Sequence, residues 1–319
     1  MFRVHLNRWT HRLRYWGTMF AGSSYYHQPQ TVGRAFFPGT LKGYFNDLTS
    51  KTNWDGPCDS RGLPVSRLSS GASIHFPILV CQKGLGHWDR WLLQGDLTDR
   101  EEFLKIAEWL RESQDSFGGW DTWAALGQPR PYCYSAMTQG EAVSVMVRAH
   151  VLTNDPTFAE ACRHAVRLMQ RPIAEGGVCA CEQGEVFLEE YPGPRRDTVL
   201  NGWVFALFGL HDYLLRFPEA EVNSFYGQTC ASLVRSLPEF DAGFWSFYSS
   251  GTKRLASPFY HQLHLSQLEA LRQILDEPFL ARTQAAWTRY DGNQFYKGWA
   301  VLRKGWQKLR EPDEITILG

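Results

Sequence analysis

Consecutive pairs of helical segments are the feature of this sequence that most restricts its fold. In each segment apolar residues recur every three to four positions, the period of an α-helix with one buried face. Connections rich in Gly, Pro, Asn and Asp, which end helices, separate the segments. The four predicted pairs are 78–94 with 98–117, 136–152 with 156–170, 198–215 with 219–237, and 261–275 with 278–290.

The two helices of a pair differ in their hydrophobic pattern. The first is apolar nearly all round, as in Gly202 to Leu210, whereas the second is amphipathic, as in Arg163 to Gln170. A helix that is apolar on all sides is buried, and an amphipathic one has a face in water. We therefore expect a mainly α fold in which an inner layer of helices is wrapped by an outer layer. Such a toroid has a mouth lined by the connecting loops.

Residues 1–65 follow a different pattern from the rest of the chain. They are rich in Tyr, Phe, Gly and Asn and show no long helical period. This composition predicts a short β and loop segment that packs on a toroidal domain of residues 66–319. Two connections in that domain also predict strands, namely a hairpin over Val178 to Leu188 with its turn at Gln183-Gly184, and Phe244 to Ser249.

Charge and cysteine content exclude several classes of protein. Lysine plus arginine equal aspartate plus glutamate at 33 each, so no overall positive field predicts a nucleic-acid or membrane partner. The apolar stretches are too short for a membrane span, and we expect a cytoplasmic protein. Seven cysteines without a C-x-x-C pair predict neither disulfides nor a metal site. We expect no cofactor.

The residues best suited to chemistry lie in segments close to predicted helix ends. Catalytic and binding groups gather in such segments because a rigid scaffold positions them there. These segments are 118–121, 134–140, 189–195, 244–248 and 260–264.

Several of these segments together resemble the C-terminal catalytic domain of D-glucuronyl C5-epimerases. The resemblance runs from about Gly43 to Leu309 and implies an incomplete (α/α) toroid that forms a homodimer. It also implies an isomerase that converts D-glucuronate units of a heparosan-like polysaccharide to L-iduronate. The matching motifs are Lys83-Gly84-Leu85-Gly86-His87, Tyr134 to Gly140, Glu189 to Pro192, Val199-Leu200-Asn201-Gly202, Tyr248, and Tyr260-His261 with His264 and Gln267.

In this family two tyrosines and a glutamate-tyrosine pair transfer protons, and the matching residues here are Tyr248, Tyr260, Glu190 and Tyr191. Epimerisation removes the C5 hydrogen from one face of the sugar and returns one to the other, so proton carriers are needed on both faces. We expect Tyr260 on one face and Glu190 or Tyr191 on the other, with Tyr248 assisting. Because the usual pKa of tyrosine is about 10, a tyrosine base needs positive charge nearby.

The neighbouring Glu189 is an alternative working carboxylate. On a regular strand Glu189 and Tyr191 would share a face and Glu190 would point away, although Pro192 makes an irregular backbone plausible. We rank Glu190 first and Glu189 second.

Other polar and aromatic residues are candidates for substrate binding, each with packing or capping as the alternative role. The candidates are Tyr134, Gln139, Arg195, Asn201, His261, His264, Trp120 and Glu189. The possible sources of positive charge are Arg195, Arg196, Lys253, Arg254, His261 and His264.

Two rival functions remain open at the level of sequence. A polysaccharide lyase on the same toroid would abstract the same C5 proton but then expel the C4 substituent. A non-catalytic protein that binds acidic polysaccharide would use the aromatic groove alone.

Overall fold

Helices form most of the computed structural model, which describes residues 27–128, 130–310 and 317–318. In these residues the helices are α1 (Pro77–Gln94), α2 (Leu97–Ser113), α3 (Ala136–Thr153), α4 (Pro156–Gln170), α5 (Leu200–Arg216), α6 (Ala220–Ser236), α7 (Pro258–Ile274), α8 (Pro278–Gly292) and α9 (Gln294–Arg310). The strands are β1 (Ser66–Leu68), β2 (Ser73–Ile74), β3 (Cys179–Glu182), β4 (Glu185–Leu188) and β5 (Ile317–Leu318).

The first eight helices form the predicted two layers. Helices α1, α3, α5 and α7 pack one against the next, and each carries its own outer helix, α2, α4, α6 and α8 respectively. Among the described residues no comparable packing joins α7 back to α1, so the ring is open. The predicted mainly α, incomplete (α/α) toroid of four helix pairs is therefore confirmed.

Two glycines bring the inner helices α3 and α5 unusually close together. A Cβ on Gly140 would lie 2.5 Å from the Phe205 carbonyl oxygen, and one on Gly209 would lie 2.3 Å from the Gly140 carbonyl oxygen. Both contacts fall within the first three turns of their helices. The N-terminal ends of α3 and α5 consequently lie side by side at one end of the toroid.

A buried ion pair connects the same two helices further along. Arg148 on α3 donates to the Asp212 carboxylate on α5 at 2.5 and 3.4 Å, and both side chains are inaccessible to solvent. The same guanidinium donates to the carbonyl oxygens of Ser144 and Gly43. A buried charge is tolerated when it is paired and its remaining protons are hydrogen-bonded, and Arg148 meets both conditions.

The part of the N-terminal segment that is described packs into the core of the toroid. Tyr44, Phe45, Leu48 and Leu63 belong to the same apolar cluster as the inner helices. Strand β1, which directly follows this segment, pairs with both β2 and β5 and so lies beside residues 317–318. Residues 1–26 of the predicted segment lie outside the described residues.

Local predictions differ in their outcome. The hairpin is confirmed, with Gln183 and Gly184 at φ 51° and 82° between β3 and β4. The strand predicted over 244–249 is wrong, because these residues form only isolated bridges. The sequence also favours Thr98, followed by Glu101, as the cap that begins the second helix, but the structure caps α2 with Asp96. Helix α9 was not predicted. No helix in the described part of the chain has the length and apolarity to cross a bilayer.

Candidate active site

A rigidly held turn after strand β4 carries Glu189, Glu190 and Tyr191. The Glu189 N–H donates to the Val178 carbonyl oxygen, and its own carbonyl accepts from the Ala136 N–H at the start of α3, both at 2.9 Å. The Trp123 indole N–H donates to the Glu190 carbonyl oxygen at 2.6 Å. These hydrogen bonds fix the backbone of this turn against the inner helix layer.

The two adjacent glutamates project into different surroundings. A Glu190 carboxyl oxygen lies 3.5 Å from the Asn201 side-chain nitrogen, at the start of α5. A Cβ on Gly202 would come within 2.2 Å of that oxygen, so a glycine is needed there. Glu189 instead accepts a 2.5 Å hydrogen bond from the Thr198 hydroxyl. Strand β4 ends at Leu188, so the alternation of a regular strand does not decide which carboxyl faces the site.

Three tyrosines gather around Glu190. The Tyr191 ring stacks on Trp123 with ring centroids 4.2 Å apart, and its side chain interacts with those of Glu190 and Tyr248, whose pKa values it influences. The centroids of Tyr248 and Tyr260 are 4.7 Å apart. These four residues come from three separate segments of the sequence, and the structure brings them into one cluster.

Different elements position the two tyrosines beyond Tyr191. Tyr260 lies in the first turn of α7, which begins at Pro258 after the N-cap Ser257. The backbone of Tyr248 is held on both sides, because its N–H donates to the Arg254 carbonyl at 2.6 Å and its carbonyl accepts from Leu200 at 3.1 Å.

Burial determines the protonation of the cluster. It raises the pKa of Glu190 to about 8, although the hydrogen bond from Tyr191 opposes this effect. The pKa values of Tyr248 and of the half-exposed Tyr191 are also raised well above 10, by desolvation and by the nearby Glu190 charge, although the Arg254 charge opposes the rise at Tyr191. The condition that positive charge lowers the pKa of a tyrosine base is therefore not met by these two residues. Their phenols keep their protons, whereas Glu190 and Glu189, whose pKa burial raises to about 7, both titrate near neutral pH.

Beside this cluster, the inner helices present buried polar atoms that have no hydrogen-bond partner in the described residues. They are both amide atoms of Gln139, one carboxyl oxygen of Glu141, and the side-chain oxygens of Asn201 and Gln267. Buried polar groups in folded proteins are nearly always paired, so these atoms retain the capacity to bind a water molecule or a polar ligand. Gln139 and Asn201 stay candidates for substrate binding on this geometry.

Sequence reasoning missed a buried charge pair beside the cluster. Lys51, on a short 3₁₀ helix at Thr49–Thr52, is buried, and its charge opposes the rise in pKa of the fully buried Glu141. Burial lowers the pKa of Lys51 to about 7. Glu141 accepts from the Gln82 amide at 2.9 Å, and the Glu190 charge further raises the pKa of Glu141.

One signal in the sequence could have located this pair. Glu141 is the one charged residue in the segment 140–147 of a helix that was predicted to be apolar nearly all round. A buried carboxylate requires a partner. Lys51 carried no such signal, because a lysine in a polar loop is usually exposed.

The two histidines that follow Tyr260 belong to a separate cluster around Ser246. The Ser246 hydroxyl lies 2.8 Å from His261 Nδ1 and 2.9 Å from His264 Nδ1, and His261 stacks on Trp245 with centroids 3.8 Å apart. Burial lowers the pKa of His261 to about 4 and that of His264 well below 6.5. Both rings are neutral, so they do not supply the positive charge expected of them.

Three other predicted residues have different surroundings. Trp120 is buried and its indole donates to the Leu110 carbonyl at 3.0 Å, so its face is not available to a sugar. The Tyr134 hydroxyl donates to Asp115 at 2.5 Å. Arg195 is exposed. Of the predicted cations, Arg254 is the one whose charge lowers the pKa of Tyr191.

The close cysteine pair does not form part of a larger ligand set. Cys179 and Cys181 lie on β3 with sulfur atoms 3.7 Å apart. Within the described residues no group of three or more His, Cys, Asp or Glu side chains is arranged to hold a metal ion.

Comparisons with known proteins identify relatives of this chain. The D-glucuronyl C5-epimerase of Caenorhabditis elegans is 28% identical over 235 residues, which are 65% of this chain and 38% of that protein. An uncharacterized protein of Methanocaldococcus jannaschii is 24% identical over 149 residues, 46% of this chain and 48% of that protein. The chain thus spans less than half the length of both relatives.

A solved structure and a family model complete the comparison. An unsaturated glucuronyl hydrolase from Bacillus sp. GL1 superposes with a TM-score of 0.46 at 14% identity, covering 67% of this chain and 60% of that one. A model described as the D-glucuronyl C5-epimerase C-terminus matches residues 114–289, more than half of this chain of 319 residues. The matched residues include Glu190, Tyr191, Tyr248 and Tyr260, and the chain therefore belongs to the D-glucuronyl C5-epimerase C-terminus family.

Proposed function

We propose that this chain epimerises D-glucuronate units of an acidic, heparosan-like polysaccharide at C5 to give L-iduronate. The observation that carries the proposal is the cluster in which the Tyr191 side chain interacts with both Glu190 and Tyr248, with Tyr260 beside Tyr248. These groups exchange protons and lie next to buried polar atoms without partners. The name of the Caenorhabditis elegans relative supports the same reaction.

Glu190 and Tyr191 together serve as the base on one face of the sugar. The C5–H bond breaks as its proton passes to the Tyr191 oxygen, while the Tyr191 proton passes to the Glu190 carboxylate. This relay avoids a free phenolate, which the raised pKa of Tyr191 makes unfavourable. Glu190, with a pKa of about 8, is matched to accept and return a proton near neutral pH.

Tyr260 donates a proton to C5 from the opposite face. After each turnover its phenolate regains a proton from solvent and Glu190 releases one, and the two sides exchange roles when the substrate is iduronate. Between the two transfers the electron pair of the C5–H bond is delocalised into the uronate carboxyl group, which needs stabilising positive charge. Lys51 supplies this positive charge. It is buried, and its charge affects the pKa values of Glu141 and His27. His27 in turn lies edge-on to the Tyr260 ring, with centroids 5.7 Å apart.

Proton exchange at C5 tests the proposal directly. Incubation of unsulfated heparosan in deuterium oxide should place deuterium at C5 of uronate units and produce iduronate, while the length of the polymer stays constant. A shortened polymer with a conjugated double bond would show a lyase instead. Binding of the polymer with neither deuterium uptake nor cleavage would show a non-catalytic binding protein.

Single substitutions test whether this reaction depends on the cluster of Glu190 and the three tyrosines. Tyr260→Phe removes only the hydroxyl, and we expect it to abolish deuterium uptake while leaving the fold intact. Tyr290→Phe is a matched control. Tyr290, like Tyr260, is a partly buried tyrosine packed against the core, but its hydroxyl donates to the Asp241 carboxylate. Near-normal C5 exchange by Tyr260→Phe would refute the assignment.

A further inference from the structure

Helix α9, Gln294–Arg310, carries an apolar face that the toroid does not bury. It lies beyond the family-matched residues 114–289. Its large apolar residues are spaced alternately by four and three positions, which places them along one face of a helix. This apolar stripe consists of Phe295, Trp299, Leu302, Trp306 and Leu309, with exposures of 76%, 48%, 68%, 58% and 50%.

The opposite face fixes α9 to the loop that carries Tyr248. Ala300 is buried in a small core with Trp245 and Leu255, and the Gln307 side chain accepts from the Leu255 N–H at 3.0 Å. The ammonium of buried Lys304 lies 6.0 Å from the Tyr248 ring centroid. These contacts fix the rotation of α9 about its own axis. The apolar stripe, on the opposite side of the helix, therefore faces outward.

The charges of α9 are all positive. The helix contains five Lys or Arg residues and no Asp or Glu. Arg303 and Arg310 are exposed and fall beside the apolar stripe on the helical wheel, and the Arg310 guanidinium lies 4.6 Å from the Trp306 ring centroid. The nearby acid Asp291 is bridged to Lys297 at 3.2 Å. The outer surface of α9 is thus apolar with a positive edge.

We infer that the apolar stripe docks this protein on an anionic lipid surface. Trp, Phe and Leu on one face, bordered by Arg and without acidic residues, is the pattern of a helix that lies in a membrane interface. Tryptophan in particular suits the boundary between headgroups and acyl chains, because its ring is apolar and its N–H is polar.

The size and charge of the surface favour lipid over a second copy of the chain. The stripe exposes roughly 500 Å², at the upper end for a monomer, whereas each partner in a stable protein interface buries about 800 Å². Two copies joined symmetrically through this helix would also bring Arg303 and Arg310 of each copy into one interface without acids on α9 to pair with them. Anionic headgroups neutralise the same arginines.

Co-sedimentation with lipid vesicles tests this inference on the full chain. We expect binding to vesicles of phosphatidylcholine with phosphatidylglycerol, little binding to phosphatidylcholine alone, and release by high salt. Trp306→Glu should lower the bound fraction about tenfold or more. Arg303→Gln and Arg310→Gln should each lower it about fivefold. Phe37→Glu is the matched control, since Phe37 is an equally exposed aromatic outside α9, and it should bind as the wild type does.

The alternatives give different results. Failure of the wild type to bind anionic vesicles at low salt, or unchanged binding by Trp306→Glu, would overturn the inference. A doubled mass in solution that Trp306→Glu returns to that of one chain would make the stripe a contact between copies. Deuterium uptake at C5 from soluble polymer should be the same in Trp306→Glu as in the wild type, so this test is independent of the proposed reaction.

Discussion

Two groups of buried polar residues on the same pair of inner helices have opposite characters. Arg148 on α3 and Asp212 on α5 pair with each other, and the guanidinium protons also reach backbone carbonyls. Two turns earlier on α3, and at the start of α5, Glu141 and Asn201 keep polar atoms without partners in the described structure. A satisfied buried network stabilises the fold, whereas an unsatisfied one costs stability that a ligand can recover.

The largest effect should come from Glu190→Gln, at the carboxyl group that lies beside Asn201 of the unsatisfied group. Gln cannot accept the proton from Tyr191, and general acid–base catalysis is worth about 10²–10⁴-fold, so deuterium uptake at C5 should fall by about that factor. The melting temperature should not decrease, because the buried carboxyl is replaced by a neutral amide. A variant that retains more than a tenth of the wild-type exchange rate would end the assignment of Glu190 as proton acceptor.

In the satisfied group, the Arg148–Asp212 pair, we expect a substitution to lower the free energy of unfolding. Arg148→Met leaves the Asp212 carboxylate buried without its partner, which costs about 3–5 kcal/mol of unfolding free energy. Urea titration of the variant and the wild type measures this difference in the free energy of unfolding. The double variant Arg148→Met, Asp212→Leu should recover most of the loss, since it removes both charges together. Equal stabilities of the single variant and the wild type would show that the pair contributes nothing.

The pH dependence of stability should also distinguish Glu190. Its pKa is raised from 4.5 to about 8 in the folded protein, so its contribution is fully present below pH 4.5 and is lost as the pH rises through 8. The Glu190→Gln variant does not show this decrease in stability, because its amide does not titrate. Between pH 5 and pH 9 the stability of the variant relative to the wild type should rise by about 2–4 kcal/mol. A relative stability independent of pH would contradict the raised pKa.

Lys51 tests the proposed source of positive charge. Lys51→Met keeps a buried side chain of similar length but no charge, and we expect kcat/KM to fall about 10²-fold. Lys51→Arg should retain part of the activity. Adding Glu141→Gln to Lys51→Met removes the uncompensated carboxylate and should restore stability without restoring activity. Recovery of activity in that double variant would give Lys51 a purely structural role.

The smallest effect is expected for Glu189→Gln. Glu189 is held by Thr198, and Gln can keep that hydrogen bond, so C5 exchange should change less than about threefold. A loss as large as that of Glu190→Gln would make Glu189 the working carboxylate.

Much of the fold was predictable because it depends on local patterns. Asp155 with Pro156 begins α4 as predicted, and Gln183-Gly184 turns the hairpin, since caps and tight turns are determined by a few neighbouring residues. The prediction over 244–249 failed because its aromatic residues pack against α7 and α9 rather than alternating across a sheet. Helix α9 was missed although its apolar residues recur at helical spacing.

The sequence by itself determined the helix pairs, their inner and outer layers, and the residue types able to move protons. The tertiary structure alone decided which of these residues meet, because side chains far apart in the chain come together only through the packing of α3, α5 and α7. Packing turned Glu190 toward the tyrosines and Glu189 toward Thr198. It also buried Lys51 beside Glu141 and made His261 and His264 neutral, since the pKa of a group depends on burial and on neighbours that local sequence does not specify.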